Sequence, residues 1–125
     1  MSTSPAQRHH AIDYVELTVT DLDVAKRFYA EAFEWQFTDY GPGYAGFRDQ
    51  PGATAPERGG LRLDAAAPAG GGPLVLLYSA DLDASVAAVT RAGGRVVQGP
   101  YEFPGGRRFH FADPAGNQLG VWAEA

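Results

Sequence analysis

Asp21-Leu22-Asp23 returns as Asp81-Leu82-Asp83, 60 residues later, in a chain of 125 residues. Each copy holds the same place in a larger order. Before the first, Val15, Leu17 and Val19 alternate with Tyr14, Glu16 and Thr18 within an Ala11–Thr20 segment, the period of two of a half-buried strand. Before the second lies the apolar run Leu74–Ser79. The aspartates of both copies supply capping oxygens and negative charge for a helix N-terminus. Leu22, Ala25, Phe28, Tyr29, Ala32 and Phe33 then follow at helical spacing. The second helix is predicted to run to about Ala92 and stop at Gly93-Gly94. Three short strands follow each helix: Trp35–Tyr40, Tyr44–Phe47 and Leu61–Asp64, then Val96–Tyr101, Arg107–Ala112 and Gln118–Trp122. An internal repeat constrains a fold more than any single motif. The expected architecture is α+β, with two tandem βαβββ modules, at about 11–64 and 74–122.

The 16 glycines and 9 prolines fit this reading, because they punctuate the chain and do not fill it. They cluster between the apolar segments, as in Gly41-Pro42-Gly43, Gly99-Pro100 and Pro114 to Gly116, the pattern of tight turns between short elements. Ala65–Pro73 reads as a flexible linker between the modules. The length fits one domain, and a chain of this size buries roughly two-thirds of the surface its unfolded form exposes. With no cysteine, disulfides and thiolate sites are excluded. A net charge of −5 argues against nucleic acid as the main partner, which calls for a basic face. No apolar run approaches the ~20 residues of a membrane span, and Met1–His10 lacks the apolar stretch of a signal peptide. A cytoplasmic location is therefore expected.

Three stretches resemble the vicinal oxygen chelate superfamily, which holds glyoxalases, extradiol dioxygenases and bleomycin-resistance proteins. They are Tyr14–Asp23 with Phe28-Tyr29 and Phe33, Ala80–Ala84 with Ala92-Gly93-Gly94, and Phe111–Leu119 with its Asp113-Pro114-Ala115-Gly116-Asn117 turn. The resemblance runs from about Ala11 to Trp122. It implies a cup-shaped, partly open β-barrel with helices outside and the substrate inside, usually on a divalent metal. It also implies a homodimer, since the family often pairs modules between chains.

Strand parity assigns the sides. Val15, Leu17, Val19, Val75, Leu77, Phe109, Phe111, Leu119 and Val121 should face the helices. Tyr14, Glu16, Thr18, Arg62, Asp64, Leu74, Leu76, Tyr78, Arg108, His110, Gly120 and Trp122 should then line the cup. The metal-ligand positions of the relatives carry over to Tyr14, to about Arg62 and Leu74, and to Gly120. None suits a divalent ion, which wants imidazole or carboxylate. No metal or other cofactor is expected on that pattern. A rebuilt site from Glu16, Asp64 and His110 is the alternative, weakened by Arg62 and Arg108 on the same strands, which suit ion pairs.

The candidate site residues follow. His110 titrates near neutral pH and suits general acid/base work, with Glu16 as its expected partner, or else it serves only as a hydrogen-bonding wall. Tyr14, Tyr78 and Trp122 suit stacking on a flat ligand. Arg108 suits a carboxylate or phenolate, or an ion pair with Asp64 or Glu16. Arg62, Asp64 and Leu76 complete the lining. Trp35 reads as core or dimer packing, and His9 and His10 belong to a polar leader. Two functions fit: sequestration of a small molecule without the usual metal, as in drug resistance, or a lyase, isomerase or dioxygenase-like reaction through Glu16 and His110. Metal-dependent glyoxalase chemistry is disfavoured, because it needs the ion to polarise the substrate oxygens.

Overall fold

The computed structural model describes His9 and residues 12–66 and 74–125. Its elements are β1 (Val15–Val19), α1 (Leu22–Phe33), β2 (Gln36–Asp39), β3 (Tyr44–Arg48) and β4 (Gly59–Leu63), then β5 (Leu76–Tyr78), α2 (Leu82–Ala92), β6 (Arg95–Phe103), β7 (Gly106–Ala112) and β8 (Gln118–Ala123). The duplicated order is therefore present. Most of the Ala65–Pro73 linker, His10 and the start expected at Ala11 lie outside the described residues. The strand expected over Leu74–Ser79 is shorter, because only Leu76–Tyr78 pairs with β8.

The repeated aspartates act as expected. Asp21 Oδ1 accepts the Val24 amide at 3.0 Å, and Asp81 Oδ1 accepts the Ala84 amide at 3.1 Å. Each cap satisfies an amide the first helical turn cannot bond internally. α2 closes on Gly93 at φ 105°. α1 closes instead on Glu34 in the left-handed region at φ 62°, where a side chain is tolerated at some strain.

The strands form two four-stranded sheets, ordered β1-β4-β3-β2 and β5-β8-β7-β6. Both are mixed. β1 runs parallel to β4 and β5 parallel to β8, while the other neighbours are antiparallel. The repeat is kept to the residue: Glu16 pairs with Gly60 and Thr18 with Arg62, while Leu76 pairs with Gly120 and Tyr78 with Trp122. The sheets do not join into a closed barrel, and the α+β architecture is a partly open cup. Among the described residues, no helix is long and apolar enough to cross a membrane.

One apolar core serves both modules. Val19, Phe28, Tyr29 and Leu61 from the first half share it with Val89, Phe109, Phe111, Leu119 and Val121 from the second. Phe28 and Phe33 of α1 meet Phe111 of β7 at 6.0 and 5.6 Å between ring centroids. Trp35 is core as well, stacked between Tyr29 at 4.7 Å and Phe47 at 4.2 Å. Of the strand residues expected to face the helices, Val19, Phe109, Phe111, Leu119 and Val121 are in this core and Leu17, Val75 and Leu77 pack against it, while Val15 does not join it.

The Asp113-Pro114-Ala115-Gly116-Asn117 turn ties the halves together. Asp113, 5% exposed, accepts the Ala115 and Asn117 amides on Oδ1. Its Oδ2 accepts the Asn117 side-chain amide and the hydroxyl of fully buried Tyr29, at 2.8 Å. Asn117 also donates to the Thr18 carbonyl at 2.7 Å. Removing a buried, fully used carboxylate leaves several donors unpaired, at about 1–3 kcal/mol. Asp113→Ala is expected to cost about that much in urea unfolding, with Tyr29→Phe costing less. Equal, negligible losses in both would show that the turn does not join the modules.

Candidate functional site

On the first sheet, the face turned away from the helices carries a polar network. Gly46 and Gly60 are paired neighbours and form its floor. A Cβ at Gly60 would strike the Tyr44 hydroxyl, and one at Gly46 would strike the Glu57 carboxylate. The two bare positions let those side chains lie flat on the sheet. The Glu57 carboxylate accepts the hydroxyls of Tyr14 and Tyr40, both at 2.9 Å. Tyr44 donates to Glu16 at 2.9 Å and lies 3.2 Å from the Tyr14 hydroxyl. Arg62 stands 3.4 Å from Glu16 and 3.2 Å from Asp64, and donates to Thr18 at 3.0 Å. Burial, helped by the Tyr44 and Glu57 hydrogen bonds, pushes the Tyr14 phenol far above its ordinary range. The Ala66 amide, then Arg62, hold the Asp64 carboxyl below its usual value.

The corresponding face of the second sheet is aromatic. Trp122 meets Tyr78 at 5.0 Å and Phe103 at 6.3 Å, edge to face. Arg108 lies 5.3 Å from the Phe103 ring centre and 5.5 Å from that of Tyr101, within cation–π range. Tyr78 is 55% exposed and donates to Glu124 at 3.0 Å. Leu76 fills the space above Gly120, where a Cβ would meet its methyl group.

Tyr101 organises the polar end of this face. Its oxygen accepts the Arg108 Nε–H, and it stands 3.2 Å from His110 Nε2. Arg108 can only donate, so Tyr101 is the acceptor there, while its hydroxyl can donate to or accept from His110 Nε2 according to the imidazole tautomer. Burial, then the Arg108 charge, lower the His110 pKa and so favour the neutral imidazole. Two one-residue register shifts in β6, around Gln98, put Gln98 opposite His110 and Tyr101 opposite Arg108.

Two expected pairings are corrected. Glu16 and His110 do not bond one another in this chain: Glu16 is held by Tyr44 and Arg62, His110 by Tyr101. Arg108 likewise pairs with neither Asp64 nor Glu16, because Tyr101 and Phe103 on its own sheet hold it. Among the described residues, no hydrogen bond, ion pair or ring contact joins Tyr14, Glu16, Arg62 and Asp64 to Leu76, Tyr78, Arg108, His110 and Trp122. Sequence reasoning passed over Tyr40, Tyr44, Glu57, Tyr101 and Phe103. Tyr44 was within reach of the parity argument, since it precedes Gly46 by two. Glu57 stands in the Asp49–Arg58 loop, which has no period to read.

The positions that the family resemblance implied for metal ligands hold no residue set suited to a divalent ion. Arg62 puts a guanidinium at one, Leu76 covers Gly120 at another, and Tyr14 spends its hydroxyl on Glu57. Among the described residues, no three His, Cys, Asp or Glu side chains gather as a metal site. Glu16, Asp64 and His110 are thus not brought together as the rebuilt set would need.

The family model described as Glyoxalase/Bleomycin resistance protein/Dioxygenase superfamily matches residues 11–121. The chain belongs to that superfamily, the vicinal oxygen chelate superfamily. It is 30% identical over 115 residues to the CFP32 proteins of Mycobacterium bovis and Mycobacterium tuberculosis, provisionally named glyoxylases. The match covers 88% of this chain but 44% of those proteins, so the chain spans less than half their length. A superfamily protein of Burkholderia phytofirmans has the same fold, with a TM-score of 0.74 at 18% identity over 91% of this chain and 98% of its own. TnmS3, an antibiotic binding protein from Streptomyces sp. CB03234, is 25% identical, with a TM-score of 0.64 over 96% of this chain and 98% of its own.

The His110 environment carries a pH consequence. A histidine whose pKa falls on folding takes up its proton more readily in the unfolded chain, so stability is full above about pH 6.5 and is lost as pH drops through the lower folded value. NMR titration is expected to place the His110 midpoint below that of free histidine, and Arg108→Gln should move it upward. An unmoved midpoint in Arg108→Gln would leave burial as the whole cause.

Proposed function

We propose that the protein binds a small, flat molecule with polar substituents, without a metal or other cofactor, and sequesters it. The observation that supports this is the aromatic face of the second sheet. Trp122, Tyr78 and Phe103 stand outside the core with Arg108 beside them, the composition of a surface that stacks on a ring and pairs with an anionic or carbonyl substituent. The antibiotic binding of TnmS3 gives the reading a precedent on this fold. We also read the chain as a cytoplasmic homodimer whose ligand is neither nucleic acid nor membrane. β1 and β5 are sheet edges, Leu76 and Tyr78 of β5 are exposed, and unpaired edges invite another strand. Joining β1 of one copy to β5 of the other would set the Glu16–Arg62 network beside the aromatic face, a polar wall next to a stacking wall.

Titration with planar aromatic acids, followed by calorimetry, tests the binding. Trp122→Ala should weaken a bound acid about five- to tenfold, the size of a lost stacking contact of about 1 kcal/mol or slightly more. Arg108→Gln should weaken the acid but not the matching neutral amide. Binding indifferent to both changes would remove this face from the site. Light scattering at about twice 13.3 kDa would agree with the dimer.

One arrangement favours a second reading, a lyase or isomerase. Burial and the Arg108 charge favour the neutral form of His110, and its Nε2 lies 3.2 Å from the Tyr101 hydroxyl, within reach for proton exchange between the two. Tight-binding acids should be assayed for turnover. Turnover lost in His110→Ala, Tyr101→Phe or Glu16→Gln with binding retained would replace sequestration by catalysis.

A further inference from the structure

A cavity of about 210 Å³ lies where the two modules meet, on the core side of the sheets. Val15 and Leu17 of β1 line one wall, and Val75, Leu77 and Leu119 of the second module line another. Trp35 and Phe47, the last two rings of the Tyr29–Trp35–Phe47 stack, close the inner end. Polar groups stand among the remaining wall residues: Asp13, Asp49 and Arg58, of which Arg58 and Asp49 are only loosely paired at 3.9 Å. None of the residues proposed for ligand binding on the outer faces belongs to this wall except Tyr14.

Ile12, 90% exposed, also lines the cavity, so it opens to solvent and a small molecule can reach it. A gap between side chains forfeits dispersion contacts on every side, and here that loss would fall on the seam between the modules. An apolar cavity of about 150 Å³ already takes up benzene, so this one holds a single ring with one or two small substituents. The charged groups are few and come from the Asp13 and Asp49–Arg58 segments, so they would meet one end of such a ligand. We propose that this seam is a second ligand site, separate from the outer faces, for a neutral single-ring aromatic molecule carrying one hydrogen-bonding substituent, such as a phenol. The ring occupies the space beside Trp35 and Phe47, and the substituent turns toward Asp49 and Arg58. Because both modules line the cavity, an occupant buttresses the seam between them.

The chain has two tryptophans, so Trp122→Phe leaves Trp35 as the only indole, at the cavity wall. Titration of that variant with p-cresol should give a saturable change in Trp35 emission. It should also give methyl NMR shifts concentrated at Val15, Leu17, Val75, Leu77 and Leu119. Val75→Phe or Leu77→Phe, which fill the space from one wall, should weaken the binding at least tenfold in the same background. The melting temperature of each filled variant is measured first, and the other is used where one fails to fold. No saturable change in emission would overturn the proposal. So would methyl shifts absent from the cavity, or binding that survives both folded fillings. Loss of p-cresol methyl shifts in a filled variant that keeps Trp122, with planar acids still bound, would separate this site from the outer one. Failure of the acids to bind leaves the p-cresol result to stand by itself.

Discussion

The contact between Asp113 and Tyr29 is the one on which the arrangement of the two halves most depends. Each module is a small sheet with one helix, too slight to enclose a core of its own. Stability comes from packing the two helix-bearing sides together, and that packing is apolar and without direction. A carboxylate at 5% exposure that accepts from its own turn and from a helix of the other module supplies direction. A sliding of the modules would break a buried charged hydrogen bond and leave its donors without water. Asn117, donating to the Thr18 carbonyl, holds the same turn against β1. The turn is therefore a joint between modules as well as a hairpin.

Much of the fold was legible because its causes are local. The two Asp-Leu-Asp caps, the glycine after α2 and the period of two in β1 each act through neighbouring residues, and each produced the expected element. The duplicated register went further than the motif suggested, since Glu16–Gly60 and Leu76–Gly120 are equivalent pairs. The site was legible in part. Parity put Tyr14, Glu16, Arg62, Tyr78, Arg108, His110 and Trp122 outside the core, because side chains alternate along any strand. It said nothing about which of them meet. Contact depends on the spatial relation of two sheets, and that is set by long-range packing.

The two misjudged partners show this. Glu16 and His110 share a parity, yet each is satisfied within its own sheet. Arg62 and Tyr44 reach Glu16 because β3, β4 and β1 are hydrogen-bonded neighbours. Tyr101 reaches His110 because two register shifts bring it opposite Arg108. A register shift has no signature in apolar periodicity beyond a break, and the Gly99-Pro100 step was read only as a turn. Tyr44 and Glu57 needed a different clue, the bare floor of Gly46 and Gly60.

Duplication has left two faces with one backbone plan and opposite chemistry. At matched positions Glu16 is answered by Leu76, Thr18 by Tyr78 and Arg62 by Trp122. The first face is a network in which Glu16, Glu57, Arg62 and Asp64 each have a nearby counter-charge or phenol, and such a network resists rearrangement. The second kept exposed rings and one arginine whose guanidinium lies beside aromatic rings and not beside a carboxylate. A ligand that stacks there displaces little bound polar structure, whereas one that enters the first face must break hydrogen bonds to carboxylates. On the proposed function, this energetic asymmetry favours the second face for ligand entry. Gly120 belongs to this division as well: its missing side chain leaves room for Leu76, and the face is apolar there.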